Sequence, residues 1–375
     1  MTTRVLHLVP IAQLSVGILR QLVDEQRVAA EEGLDWHVRI FTCDEFPDHT
    51  RHLRAEGKTT ARPPRNQLRY GLDWIAFYHR LYAWLRANAA MYDVVALRYT
   101  VADIERWLAI RRLATPVVSV HHTLEVPELA GLPSRLSRAR TVVERTVGGL
   151  NVRAAHGIVG VTDEIVTYES SRARKLRPAV LYPNCIDLGS HPVSDDARTD
   201  TIHVLFVASG FTYWQGLDRL ITSIKTSDEH FVIDVVGGVS ESLRKQAAGD
   251  SRIVFHGTLD ETGMANIRKL AWVGLSSLAL DRKGMTQACP LKVREYLASG
   301  IPVYAGHSDV FPERSPFYRH GTAQISSILK FACEARAMSR AEVRHQSSHL
   351  IDKRPILQRV YNDLGAIFSA PPTSH

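Results

Sequence analysis

Short apolar runs alternate with amphipathic stretches of helical period along this chain, and the alternation occurs in two series. Residues 4–9, 36–42, 92–97, 116–121 and 157–161 form the first; residues 202–208, 231–236, 252–256, 272–278 and 302–305 form the second. Runs that stay apolar without strict two-residue alternation are strands covered on both faces, and the intervening helices do the covering. This pattern restricts the chain to an α/β fold built on parallel sheets. A length of 375 residues is long for one hydrophobic core and natural for two. The expected organisation is one domain over 1–185, a second over 186–354, and a crossover helix with tail over 355–375. Residues 184–201, polar and rich in Asp, Ser, His and Pro, read as the linker, and 356–368 as the amphipathic closing helix.

Composition narrows the function classes. A hydrophobic share of 45% with 23% charged residues is that of a globular chain, which excludes a disordered one. No run approaches the roughly 20 apolar residues of a membrane span, and no charged start precedes an apolar signal core. The chain is therefore expected in the cytoplasm. Cys43, Cys185, Cys289 and Cys333 form no C-x-x-C pair and read as reduced thiols. Residues 1–185 hold 25 Lys and Arg against 19 Asp and Glu, while the remainder holds 21 against 20. The excess gathers at Arg51, Arg54, Lys58, Arg62, Arg65 and Arg69, and again at Arg135, Arg138, Arg140, Arg145 and Arg153 on an amphipathic helical region. Such segments either rest on an anionic membrane face, making the protein peripheral to the inner leaflet, or form a solvated arginine surface. Nucleic acid is not expected as a partner, because no recognised binding module accompanies the charge.

The stretch from Cys289 to Val303, CPLKVREYLASGIPV, carries the most chemistry. Pro290 suits the start of a helix, where its missing N–H costs nothing. Leu291, Tyr296 and Leu297 make an apolar stripe, Gly300 suits the C-terminus, and Pro302 follows. Free N–H groups and the helix dipole favour an anion at the helix start, where Lys292 and Arg294 lie with Glu295 after them. Phosphate and sugar hydroxyls match that set.

With its companions the stretch becomes more specific. VLFVASGFTYWQGLDRLI at 204–221, VVGG at 235–238 and RIVFHG at 252–257 precede it in this order. Together they resemble the C-terminal half of a family 4 glycosyltransferase with the GT-B fold, closest to bacterial members that build surface polysaccharides. Asn184-Cys185-Ile186-Asp187 resembles that family's hinge, and residues 155–165 its last N-terminal strand and following helix. The resemblance implies two Rossmann-like domains facing across a cleft. It places a nucleotide-sugar donor on the second domain and a glycan or lipid-linked acceptor on the first, with retention of configuration and no essential metal or other cofactor.

Carried over residue by residue, Glu295 matches the acid that accepts hydrogen bonds from the donor ribose. Eight residues earlier, where the family places a glutamate on the donor sugar, this chain has Gln287, which keeps an acceptor and loses the charge. Leu291 offers a backbone N–H to the phosphates that Pro290 cannot. The family's Arg and Lys for the leaving diphosphate are replaced by Gly210 and Gln215, so Arg282, Lys283 and above all Lys292 are the candidate substitutes. Gly17 stands where the family has a glycine-rich loop, and Gly237, His256 and Gly257 line strand ends of the donor domain. In the first domain His122, directly after a strand, is the candidate to meet a sugar hydroxyl; His121 belongs to the strand and to packing. His7 and His156 read as structural or cleft-lining. Adjacent histidines also raise a metal site, but Glu125 is the sole nearby further ligand, and no metal is expected.

The expected activity is retaining glycosyl transfer in the synthesis of cell-surface glycans. The main alternative is a catalytically degenerate homologue that binds a nucleotide sugar or a partner glycosyltransferase, which the two glutamines would explain. A nucleotide-sugar epimerase of the same fold is the remaining one.

Overall fold

The computed structural model describes residues 2–11, 16–44, 48–55, 67–131 and 135–368. The chain divides into two compact units, Met1–Pro183 with Lys353–His375, and Asn184–Asp352.

The first unit is built on six parallel strands: β1 (Val5–Pro10), β2 (Trp36–Phe41), β3 (Val94–Arg98), β4 (Val117–His121), β5 (Gly157–Gly160) and β6 (Ala179–Leu181). Their order across the sheet is β2-β1-β3-β4-β5-β6. Every residue of β1 and β4 is buried, as expected of strands covered on both faces. The long helix Gln67–Asn88 packs Phe77, Leu81 and Leu85 against Leu6, Leu8 and Leu97 on one face. On the other face lies the last helix, Lys353–Phe368, whose Leu357, Val360 and Leu364 join Val5, Val159 and Val180. This last helix thus packs in the same core as β1. Lys353, only 2% exposed, is tied there by its Nζ to the carbonyl and the amide oxygen of Gln21 at 3.0 and 3.1 Å.

The second unit repeats the scheme with β7 (Ile202–Gly210), β8 (Phe231–Gly238), β9 (Ile253–Gly257), β10 (Ala271–Leu275), β11 (Val303–Ala305) and β12 (Tyr318–His320), in the order β12-β11-β10-β7-β8-β9. Two edge strands, β6 and β12, have no counterpart in the apolar runs of the sequence. Each is three residues long, too short for periodicity to register.

Residues 184–201 are not the loose linker that their polarity predicts. Ile186 bridges to Asp352, and Arg344 donates to the carbonyls of Leu188, His191 and Ala298. Ser194 and Ala197 donate backbone bonds to Ser299 and Lys269. The arginine and backbone bonds satisfy polar groups that composition alone would assign to water. Of the basic positions near residue 60, Lys58, Arg62 and Arg65 lie outside the described residues.

Candidate functional site

In open parallel sheets ligands bind beyond the carboxyl ends of the strands, at the point where successive crossovers depart to opposite sides. In the second unit that point falls between β7 and β10. Val207 sits near the end of β7, and Ser277 and Leu278 just past β10. Gly216 closes the turn into the helix Leu217–Ile224 with φ +75°, where a Cβ would come within 3.0 Å of Leu278 and Ala279. This turn delivers Gln215 to the switch point, where its Oε1 accepts from Ser277 Oγ at 3.1 Å.

Lys292 reaches the same place from the helix Leu291–Ala298. Its Nζ donates to Val207 O at 2.9 Å and to Gln215 Oε1 at 3.1 Å, above the Phe206 ring at 5.6 Å. Desolvation lowers its pKa to about 8, and the Glu295 charge opposes that shift. Part of the side chain remains open to solvent, and the ammonium has no carboxylate within ion-pair distance among the described residues. The helix starts at Pro290 without a side-chain cap and carries no acid in its first turn, which leaves its N-terminal dipole uncompensated. It ends in a Schellman motif: Ile301 N–H bonds to Tyr296 O at 2.8 Å and Gly300 to Leu297 O at 3.0 Å, with Gly300 at φ +77°. Glu295 is half-buried one turn beyond Lys292, and its carboxylate makes no side-chain hydrogen bond or ion pair among the described residues.

Other sequence candidates separate into available and engaged groups. Gly237 has φ +121°, and a Cβ there would stand 1.6 Å from Ala208 O, so β8 can approach β7 this closely only with glycine. Gly210 is exposed with open space around it, and Gly257 has φ +68°. Gln287 lies in a loop that bridges to Ser308. Lys283 stacks its ammonium over Trp214 at 4.8 Å. His256 is held by Asp234, Nε2 to Oδ1 at 2.7 Å, and Arg282 is occupied by Asp218 at 2.9 and 2.7 Å. Arg294, placed in the phosphate-facing first turn by sequence, is fully buried instead. It forms a bidentate pair with Asp309 at 2.5 and 2.6 Å and donates from Nε to Asn184 O at 2.8 Å.

In the first unit the switch point falls between β1 and β3. A concavity of about 560 Å³ lies there, lined by Pro10 and Ile11 at the end of β1, Arg98 to Thr100 at the end of β3, and Val120 and His122 at β4. Strand alternation turns His121 inward and His122 outward. His121 is fully buried, bonded to Ser119 Oγ at 2.9 Å and Glu125 Oε1 at 3.1 Å, and stacked on Tyr99 at 4.4 Å. His122 exposes its surface in the concavity, while crowding by protein atoms and the Arg98 charge hold its pKa well below the usual value. Gly17 lies exposed in the first turn of Val16–Glu31. His7 is structural, bonded through Nδ1 to Glu25 at 2.5 Å; His156 accepts from Val117 N at 3.1 Å.

His121, Glu125 and Glu169 place ligand atoms within 4.8 Å of one another, the kind of cluster a metal ion uses. Burial raises both carboxyls, Glu125 to about 8, and Arg172 already holds Glu169 at 3.0 and 2.8 Å. The raised carboxyls and the Arg172 ion pair limit the negative charge the cluster presents.

Sequence reasoning missed Arg98 and Ser277. Each stands at or just past a strand's carboxyl end beside a switch point, and that position is the signal that would have found them.

The fold is the α/β architecture of GT-B glycosyltransferases, two six-stranded parallel sheets with helices on their faces. Among solved structures the chain is similar to sucrose-phosphate synthase from Thermosynechococcus elongatus, at 19% identity and TM-score 0.66 over 97% of this chain and 99% of that one. It is also similar to the lipopolysaccharide outer core galactosyltransferase WaaB, at 11% identity and TM-score 0.64 over 97% and 99%. Anabaena HepE in complex with UDP and glucose matches at 13% and 0.61 over 97% and 100%. No protein-family model and no curated protein matches the sequence. Among the described residues no helix is long and apolar enough to cross a membrane.

Proposed function

We propose that the chain is a retaining, family 4-type glycosyltransferase that takes its sugar from a nucleotide-sugar donor held at the switch point of the second unit. The observation that carries this reading is the meeting of Lys292 and Gln215 at the end of β7, beside an uncapped helix start. Cleavage of a donor glycosidic bond loads negative charge onto the departing diphosphate, and a preorganised cation with helix N–H groups stabilises that charge. Lys292 takes the place of the missing family Arg and Lys, with Gln215 holding it in position. The reading assigns Glu295 to the ribose hydroxyls, Gln287 to the donor sugar, and Gly210, Gly237 and Gly257 to close backbone approach. Lys283 serves at the rim of the site.

The acceptor is assigned to the first unit beside His122, whose imidazole hydrogen-bonds a hydroxyl. Attack on the same face as the departing diphosphate lets that diphosphate take the acceptor proton, so the route needs neither a double-displacement carboxylate pair nor a metal. Turnover undiminished by a chelator is the corresponding outcome. The structural likeness to HepE with bound UDP favours UDP as the first nucleotide to try.

The test is a thermal-shift panel of UDP, GDP, ADP, CDP and their sugar conjugates, with Glu295→Ala beside the wild type. A ligand at 100 times its Kd stabilises the native state by about 2.7 kcal/mol. A shift with one nucleotide that the variant loses is the expected result. A nucleotide shift without transfer to any acceptor favours the degenerate homologue, and no shift with any nucleotide contradicts the donor site.

A further inference from the structure

The concavity of the first unit has a lining that a plain sugar does not require. Ile75 and Ile104 stand 54% and 63% exposed at its wall, beside Ile11, Trp74 and Val101. Large aliphatic side chains left in solvent around a single depression mark a binding surface for apolar groups. The same depression takes in two guanidinium groups, Arg98 from the end of β3 and Arg140 from the helix Arg135–Val143. Neither makes a side-chain hydrogen bond or an ion pair among the described residues.

The acidic groups nearby do not cancel them. Glu105 and Glu125 line the same depression, yet neither is within ion-pair distance of Arg98 or Arg140 among the described residues, and burial raises the Glu125 carboxyl to about 8. Two unpaired guanidiniums in a partly desolvated, apolar depression are costly unless an anion joins them. A guanidinium pairs with phosphate through parallel N–H···O bonds, and two of them match a doubly charged group.

We infer that this concavity binds the acceptor, and that the acceptor is an anionic amphiphile: a phosphate or diphosphate ester on an apolar chain. The charge pairs with Arg98 and Arg140, and the chain covers Ile75 and Ile104. The role of acceptor rests on the transferase reading above. The ligand chemistry rests on the lining alone.

Decyl phosphate, below its micelle concentration, is the probe, with binding measured by calorimetry on the full chain. Inorganic diphosphate carries the charge without the chain, and decyl glucoside the chain without the charge. Decyl phosphate is expected to bind about tenfold or more tightly than either. Arg98→Gln, Arg140→Gln and Ile104→Asp should each weaken it by about tenfold, the worth of one charge-assisted contact or one buried apolar group. Arg138→Gln, an exposed arginine of the same helix that does not line the depression, should leave affinity unchanged. Each variant is checked for a cooperative thermal transition like that of the wild type.

Equal binding of decyl glucoside, equal weakening by Arg138→Gln, or no binding of decyl phosphate overturns the inference. UDP binding is measured on the same wild-type preparation. Decyl phosphate binding without any nucleotide binding contradicts the transferase reading and the acceptor role with it. Nucleotide binding without decyl phosphate binding overturns the acceptor inference alone.

Discussion

The Nζ of Lys292 lies 3.1 Å from the amide oxygen of Gln215, two residues 77 positions apart that meet over the end of β7. A neutral partner fixes the ammonium without neutralising it, so its charge remains available to a diphosphate. Lys292→Met is expected to lower kcat/KM for the donor by a factor of about 10² to 10³, the usual cost of removing one preorganised group that stabilises transition-state charge. Steady-state kinetics with the nucleotide sugar that binds best makes the comparison, and an unchanged kcat/KM would remove Lys292 from the site.

Donor affinity should carry the titration of the same group. Burial sets the Lys292 pKa near 8, so the ammonium is charged at pH 7 and loses its proton above 8. Affinity for the nucleoside diphosphate is expected to hold constant from pH 6.5 to 7.5 and then to fall, approaching about tenfold per pH unit. Stability runs the other way. A lysine whose folded pKa lies below its unfolded value binds fewer protons when folded, so its contribution rises with pH between about 8 and 10.5. Calorimetric titrations across this range test the first sign, and thermal melts of wild type against Lys292→Met test the second.

Gln287→Glu restores a carboxylate where the family resemblance implies one. Extra negative charge beside the anomeric carbon should raise kcat by about tenfold if this position addresses the donor sugar, since an oxocarbenium-like centre gains from it. A fall in kcat would show a site specialised around the amide.

The buried glutamates of the first unit make a separate stability prediction. The folded-state pKa of Glu125 is raised to about 8 by burial, so the folded protein holds a proton that the unfolded chain releases above about 4.5. Stability is therefore lost as pH rises from about 4.5 through 8. Glu125→Gln mimics the protonated form and should raise Tm at pH 8 while changing it little at pH 5. An equal shift at both pH values would contradict the assignment.

Much of the architecture was legible because strands buried on both faces leave continuous apolar runs, and every run in the two series became a strand. The short edge strands β6 and β12 were not, since three residues carry no period. Charge was harder to read than hydrophobicity. Lys292 and Arg294 are two residues apart in one helix, yet the helix turns Arg294 onto Asp309 and the Asn184 carbonyl while Lys292 points to β7. Asp218 captures Arg282 and Asp234 captures His256 in the same way. Nothing local to a basic residue tells which distant carboxylate will neutralise it. The histidine pair was readable because alternation along β4 sends His121 inward and His122 outward. Arg140 was legible only as one of several basic residues on its helix, because only the folded chain brings that helix to the end of β3.

The most direct test of the account is hydrogen exchange of the full chain with and without the nucleotide that gives the largest thermal shift. Binding at the switch point predicts slowed exchange in residues 207–217, 276–278 and 290–297. Protection confined to the first unit, or absent at saturating nucleotide, would contradict the donor site built around Lys292 and Gln215.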